Sequence, residues 1–157
     1  MSEFANKIQE LFISKNITLS VAESLTGGNI QAILTSIPGA SNYFSGGVTA
    51  YNIRQKVDIL GVDEENAEKC NCVSYKTAEE MSKGISLLMN TDFGLATTGY
   101  VSPTLEIEEA HAYISVYSRI DDSHHTFLAI NSNYIDRPSS QKFFSLVALK
   151  ALIEKII

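Results

Sequence analysis

Short apolar segments of the strand type alternate along this chain with helical apolar stripes, and glycines stand at the junctions between them. Residues 18–22 are typical of a short strand, and the glycine pair at 27–28 opens a helical stripe that ends near residue 38. Residues 47–51 repeat the strand pattern, and residues 53–61 follow as a helix that closes on a glycine. This alternation favours a β-sheet that is covered by helices.

The middle of the chain contains a polar stretch followed by another helix and strand. Residues 62–73 are polar and acidic without an apolar period, which predicts a surface connection. Thr77 and Glu80 predict a capping box for the helix that follows. Residues 93–97 form a continuous apolar run that breaks at Gly99, which predicts a buried central strand ending in a loop.

The C-terminal part predicts a β-hairpin and a final helix. Apolar and polar residues alternate over residues 112–117, and a partner run follows over residues 126–130. Pro138 suits an early helical position, and an apolar stripe continues from it to the C-terminus. With 157 residues and no interdomain linker, we expect one α/β domain over residues 1–157, a three-layer α/β/α arrangement with a mixed sheet.

Charge and cysteine content exclude several functional classes. The formal net charge of −6, without a dense Lys/Arg cluster, argues against nucleic acid as a partner. The N-terminus lacks signal-peptide features and no apolar run reaches the roughly 18 residues of a membrane span, so we expect a cytoplasmic protein without a membrane partner. Cys70 and Cys72 fit neither a disulfide framework nor a zinc site, so we expect reduced thiols and no metal.

Polar residues concentrate at the first strand-to-helix junction, where residues 22–28 read AESLTGG. Such a junction exposes backbone N–H groups, here those near Thr26, Gly27 and Gly28, which can bind an anion or stabilise an oxyanion. Helix caps rich in Ser, Thr and Gly are common, however, so a purely structural cap is the alternative at this point. Ser24 is the candidate nucleophile if the junction is catalytic.

The second strand-to-helix junction carries Tyr51 and Lys56, five residues apart. A serine needs a nearby base to act as a nucleophile, and a lysine made neutral by burial, or a tyrosine relaying to it, provides one. The three histidines lie in the hairpin region without a catalytic order around them, so we expect them to have no catalytic role. A Ser, Tyr and Lys set is therefore the candidate catalytic group.

Several motifs, in order and spacing, resemble the C-terminal domain family of competence-damage-inducible protein A (CinA), whose members include nicotinamide-nucleotide amidohydrolases. These are AES-x-TGG at residues 22–28, IPGAS at 37–41, GGVTAY at 46–51, K-x-x-x-LGV at 56–62, and VS at 73–74 before a helix. The resemblance runs from about residue 5 to the C-terminus. It implies the CinA C-terminal-domain fold and, because members often associate, it is compatible with a homodimer.

The resemblance also implies a reaction. Members hydrolyse the carboxamide of nicotinamide mononucleotide to nicotinate mononucleotide and ammonia, without a metal or other cofactor, through a Ser, Tyr and Lys set. Those roles fall on Ser24, Tyr51 and Lys56 in this chain. The implied steps are attack by Ser24 on the amide carbon, proton transfer through Lys56 and Tyr51, loss of ammonia and hydrolysis of the acyl-enzyme.

The chain departs from the family pattern after Gly99. The family continues with a glycine-rich loop, whereas this chain keeps Gly99 and Pro103 and replaces the remaining glycines by residues with side chains, which restrict the backbone and the approach of a ligand. Arg137 is retained before the last helix and is the candidate phosphate contact. Two alternatives therefore stay open: a non-catalytic, nucleotide-binding descendant of the family, and an amidohydrolase with a different substrate.

Overall fold

One five-stranded mixed sheet organises the molecule, and the computed structural model describes it over residues 2–157. The strand order is β2-β1-β3-β4-β5; β1 is parallel to β2 and β3, and the β3–β4 and β4–β5 pairs are antiparallel. The strands are β1 (Leu19–Glu23), β2 (Phe44–Thr49), β3 (Phe93–Tyr100), β4 (Ala110–Ser118) and β5 (Ser123–Asn131). The predicted α/β class and mixed sheet are confirmed.

Helices cover both faces of the sheet, which confirms the three-layer prediction. One face packs against α1 (Ser2–Lys15), α2 (Asn29–Thr35) and α6 (Arg137–Ile156), and the other packs against α3 (Ile53–Leu60), α4 (Glu64–Cys70) and α5 (Tyr75–Met89). The first face holds the larger apolar core and the second holds a smaller cluster. None of the helices within residues 2–157 is long and apolar enough to cross a membrane.

Strand β1 lies where the chain changes direction across the sheet. The chain runs from β1 to its neighbour β2 and then crosses to β3 on the other side of β1. Because β1, β2 and β3 are parallel, their carboxyl ends lie at one edge of the sheet. Ligands of open α/β sheets bind outside the carboxyl ends of the strands at such a switch point.

Two local predictions were wrong. Residues 62–73 contain helix α4, which is capped by Asp63, whose side chain accepts a hydrogen bond from the Asn66 N–H at 2.7 Å. Ala67 is its single fully buried residue, so the segment has no apolar period to detect. The cap of α5 is Ser74 rather than Thr77, because the Ser74 hydroxyl accepts from the Thr77 N–H at 3.1 Å.

Strand β3 is longer than predicted, because it continues through Gly99 to Tyr100. Gly99 pairs with Ala112 of β4 and does not break the strand. A Cβ built at Gly99 would lie 2.2 Å from the carbonyl oxygen of His111, so the glycine allows the two backbones to approach closely.

Candidate active site

A cleft of about 230 Å³ lies at the carboxyl edge of the three parallel strands. Five residues singled out from the sequence line it, and they come from four separate segments of the chain: Ser24, Tyr51, Lys56, Gly99 and Arg137. Ser24 follows β1, Tyr51 follows β2, and Gly99 lies at the end of β3. The fold thus brings together side chains that are up to 113 residues apart, from Ser24 to Arg137.

Ser24 begins a tight turn between β1 and α2. Its carbonyl accepts a hydrogen bond from the Gly27 N–H at 3.0 Å, and Gly27 and Gly28 have φ of 62° and 95°, in the left-handed region that favours glycine. Ser24 keeps 7% of its surface exposed, and it lines the cleft. The serine is therefore not sealed in the core.

Lys56 lies one turn into helix α3 and is almost entirely buried, with 5% exposure. Burial lowers the pKa of its amine, because the charged form loses hydration, and the nearby Cys72 thiol opposes this effect. The pKa of the Cys72 thiol is itself raised, first by burial. Lys56 has no salt bridge to a carboxylate among residues 2–157. The neutral amine is thus favoured more here than in water.

Tyr51 lies at the mouth of the cleft and is 54% exposed. Arg137, the first residue of α6, donates from Nη2 to the Tyr51 hydroxyl at 2.6 Å and from Nη1 to the Ser102 hydroxyl at 3.2 Å. A guanidinium donates and never accepts, so the Tyr51 oxygen is the acceptor in this bond. The phenol proton is therefore directed away from Arg137.

No direct hydrogen bond joins Ser24 to Lys56 or Tyr51 in the described part of the chain, residues 2–157. Catalytic hydrogen bonds are often long in a ligand-free protein and tighten when the substrate binds. The three side chains share one cleft, and proton transfer between them requires hydrogen bonds that this ligand-free arrangement does not show.

The cleft is not lined by Thr26, Gly27 or Gly28, which were predicted as substrate-binding residues. Thr26 is fully buried, and its hydroxyl bonds to that of Thr97 at 2.9 Å. The Gly27 N–H donates to Ser24, and the Gly28 N–H donates to a carboxylate oxygen of Glu23 at 3.0 Å. These bonds occupy the amides of both glycines, so the geometry gives no support to a ligand contact there, and that role stays a prediction.

Residues that the sequence analysis did not single out form much of the cleft wall. Thr98 donates from its hydroxyl to the Cys72 carbonyl at 2.6 Å, and Asn71 donates from its side chain to the Tyr100 hydroxyl at 3.2 Å. Asn71 and Cys72 both have positive φ, 52° and 59°. Asn71 is the C-cap of α4, a position where asparagine often adopts this conformation, and it lines the cleft whereas Cys72 does not. Both residues lie in the segment predicted as a surface connection.

The loop after β3 forms another part of the wall through Val101, Ser102 and Thr104. The Thr104 hydroxyl accepts from the N–H groups of Glu106 and Ile107, so side chains organise a loop that contains no glycine. Within residues 2–157, no group of three or more His, Cys, Asp or Glu side chains is placed to hold a metal ion.

Solved structures of similar proteins share the whole fold. Competence damage-inducible protein A (ComA) of Klebsiella pneumoniae subsp. pneumoniae superimposes with a TM-score of 0.91 at 26% identity, covering 99% of this chain and 96% of that chain. The competence/damage inducible protein CihA of Agrobacterium tumefaciens gives 0.90 at 28% identity, covering 98% and 93%.

Sequence relatives and a family model give the same assignment. A CinA-like protein of Synechocystis sp. is 39% identical over 148 residues, which cover 94% of this chain and 35% of that protein. A putative competence-damage inducible protein of Acetivibrio thermocellus is 45% identical over 94 residues, covering 60% and 23%. The chain thus spans about a third or less of these relatives' own length. The model of the CinA C-terminal domain matches residues 1–156, so this chain belongs to the CinA C-terminal domain family.

Proposed function

We propose that the protein is an amidohydrolase that converts nicotinamide mononucleotide to nicotinate mononucleotide and ammonia. The observation that carries the proposal is Lys56: a buried lysine with a lowered pKa lines the same cleft as Ser24 and Tyr51. Lysines activated by desolvation serve as bases in enzymes that lack a catalytic histidine. The resemblance of the motifs to nicotinamide-nucleotide amidohydrolases supplies the substrate class.

In the proposed first step, the neutral Lys56 amine takes the proton of the Ser24 hydroxyl as the oxygen attacks the carboxamide carbon. The Lys56 ammonium then gives that proton to the amide nitrogen, the carbon–nitrogen bond breaks and ammonia leaves. Water then hydrolyses the ester on Ser24: Lys56 takes a proton from the water as its oxygen attacks the ester carbon, and it returns the proton to the Ser24 oxygen as the ester bond breaks and nicotinate mononucleotide leaves. The Tyr51 oxygen accepts from Arg137, which leaves its phenol proton for another acceptor, and we propose that it donates to the developing oxyanion.

Arg137 has donors left for the phosphate of the nucleotide. A guanidinium carries five N–H donors, and the bonds to Tyr51 and Ser102 use two of them. A phosphate at the cleft mouth could accept from the remaining N–H groups of the guanidinium. The same residue would then orient both the substrate and Tyr51.

A second candidate, an amidohydrolase with a different substrate, is favoured by the loop over residues 101–109. Its Val101, Ser102 and Thr104 side chains line the cleft, and the Ser102 hydroxyl already occupies one donor of Arg137. Such a wall suits a smaller amide than a nucleotide. The nucleophile and its base are the same in both candidates.

The test is to incubate the purified protein with nicotinamide mononucleotide and measure ammonia, alongside Ser24→Ala. We expect the parent to release ammonia, and we expect the variant to release it at least about 1,000-fold more slowly, because the nucleophile is lost. The matched control is Ser145→Ala, another buried serine, on α6 and outside the cleft. Turnover of other amides alone supports the second candidate, and saturable nucleotide binding without any turnover contradicts both. Sedimentation of the same preparation tests the homodimer.

A further inference from the structure

Glu23 is the last residue of β1, directly before Ser24, and its side chain is fully buried. Its carboxylate makes three hydrogen bonds to the backbone at the start of α2. Oε2 accepts from the N–H groups of Gly28 at 3.0 Å and Ile30 at 3.1 Å, and Oε1 accepts from that of Gln31 at 2.9 Å. Among residues 2–157, no lysine or arginine forms a salt bridge with it.

These bonds replace an ordinary helix cap. The N-cap position of α2 is Gly28, which has no side chain to offer to the first-turn N–H groups. A carboxylate is well placed there, because the N-terminus of a helix carries partial positive charge. Glu23 therefore ties the end of β1 to the start of α2, and the turn that begins with Ser24 is closed between them.

The three Glu23 bonds join the end of β1 directly to the start of α2. Two successive glycines, Gly27 and Gly28, give the backbone of the turn wide freedom, and its other links, including the buried bond between the Thr26 and Thr97 hydroxyls at 2.9 Å, tie it to other elements. The Ala50 N–H donates to the Glu23 carbonyl at 2.9 Å, and Gln141 Nε2 donates to the Leu25 carbonyl at 3.2 Å. Neither link fixes the distance between the strand end and the helix start.

We infer that Glu23 is the positioning residue that holds the Ser24 hydroxyl in its attacking place, an inference that rests on the proposed function. Glu23 acts through the backbone and does not line the cleft. A misplacement of about 1 Å at a reacting group costs on the order of 100-fold in rate. The carboxylate also occupies the N–H groups that attract anions at a helix start, which leaves the phosphate to Arg137.

The test variant is Glu23→Gln, which keeps the shape but replaces one accepting oxygen by an NH2 group that cannot accept. We expect kcat to fall about 100-fold while KM stays within about threefold, because binding groups are untouched. The matched control is Ser20→Ala, at the opposite end of β1, which removes a buried hydrogen bond to Thr91 of 2.6 Å. A kcat loss no larger than that of Ser20→Ala overturns the inference.

A second measurement does not use the proposed substrate, and it adds a variant milder than Glu23→Gln. A fluorophosphonate probe labels reactive serines, and mass spectrometry of the labelled peptide reports the reactivity of Ser24. The added variant is Glu23→Asp, which keeps the carboxylate but retracts it by about one carbon–carbon bond. We expect labelling of Ser24 to slow about 10-fold in Glu23→Asp and further in Glu23→Gln. If the parent is labelled faster than both variants but does not hydrolyse the nucleotide, the proposed function fails and the inference stands. Equal labelling, or none at Ser24 in the parent, overturns the inference even where the nucleotide is hydrolysed.

Discussion

At the scale of single residues, Lys56 determines how activity should depend on pH. In the proposed mechanism its neutral amine is the active form, and burial lowers its pKa below the ordinary value of a lysine. We expect kcat/KM to rise with pH until the amine is deprotonated and then to level off. A pH–rate profile on the parent measures this. A rate that falls as pH rises through the same range contradicts Lys56 as the base.

Replacing Lys56 by Met should remove activity and stabilise the fold. Folding lowers the pKa of Lys56, so the unfolded state holds the lysine proton more tightly than the folded state. At pH values below the unfolded pKa, this difference destabilises the fold. We expect the free energy of unfolding at pH 7 to rise by about 1–2 kcal/mol, measured by urea denaturation. The control is Lys142→Met, at a residue of α6 outside the cleft. If Lys56→Met is less stable than the parent, burial of the Lys56 amine does not destabilise the fold.

Tyr51→Phe tests the phenol without disturbing the fold. The ring is half exposed and keeps its place, so the free energy of unfolding should change by less than about 0.5 kcal/mol. We expect kcat to fall by roughly 100-fold, in the range of a lost acid–base or oxyanion contact. Steady-state kinetics measure this, with Tyr75→Phe, another exposed tyrosine, as the control. An unchanged kcat assigns Tyr51 no more than a binding role.

At the scale of elements, Gly84 fixes how closely α5 packs against α3. A Cβ at Gly84 would lie 2.0 Å from the Leu60 carbonyl oxygen at the end of α3. We expect Gly84→Ala to lower the free energy of unfolding by about 1–3 kcal/mol and to reduce kcat, since α3 also carries Lys56. Urea denaturation and kinetics measure the two effects.

The control for this prediction is Gly61→Ala. Gly61 has φ of 70° and no atom within 4 Å of a Cβ built there, so the substitution adds backbone strain but no clash. It should cost about 1 kcal/mol and leave kcat unchanged. Equal effects of the two variants on kcat contradict the role of close packing.

Element prediction succeeded where apolar periodicity was strong and failed where capping decided the structure. The stripe of α3 and the alternation of β4 predicted their elements well, because burial selects those residues. Helix α4 depends on the Asp63 cap and one buried alanine, which leave no period in the sequence. Thr77 resembled a cap but is fully buried, with Ser74 taking that place.

At the scale of the whole molecule, acid should destabilise the fold through His124. His124 lies on β5 beside Ser82 of α5 and Ser115 of β4. Burial lowers the pKa of its imidazole, and Lys83 lowers it further, while Glu79 and Asp122 raise it by less than burial lowers it. The unfolded state therefore binds a proton first, and stability falls as pH decreases through about 6.5, the ordinary value of histidine. Its Nδ1 lies 3.4 Å from the Ser115 hydroxyl.

The measurement is the free energy of unfolding in urea at pH 7.5 and at pH 5.5. We expect His124→Gln to lose less stability over this interval than the parent, because the titrating group is gone. His125→Gln, at the exposed neighbouring residue, should behave as the parent. Identical losses in all three proteins contradict the assignment to His124.

The assembly of the cleft was only partly predictable. Ser24 and Tyr51 lie next to strand ends, and Lys56 lies in the helix that follows β2. All three stand out by residue type, and the parallel order of β1, β2 and β3 brings them to one edge. Asn71 and Ser102 lie in segments without a pattern, and only the tertiary fold places them on the cleft wall. The amides near Gly28 resemble an anion site until the Glu23 carboxylate is located on them.

Adjacent threonines of β3 anchor opposite walls of the cleft: Thr97 bonds to Thr26 in the nucleophile turn, and Thr98 bonds to the Cys72 carbonyl. Neighbouring side chains of a strand point to opposite faces. Inserting or deleting one residue before Thr97 would exchange the two faces and detach both walls at once. Length changes within residues 103–109, beyond both threonines and Ser102, leave this pair in place, so in the proposed enzyme loop length can alter substrate preference while the serine turn keeps its anchor.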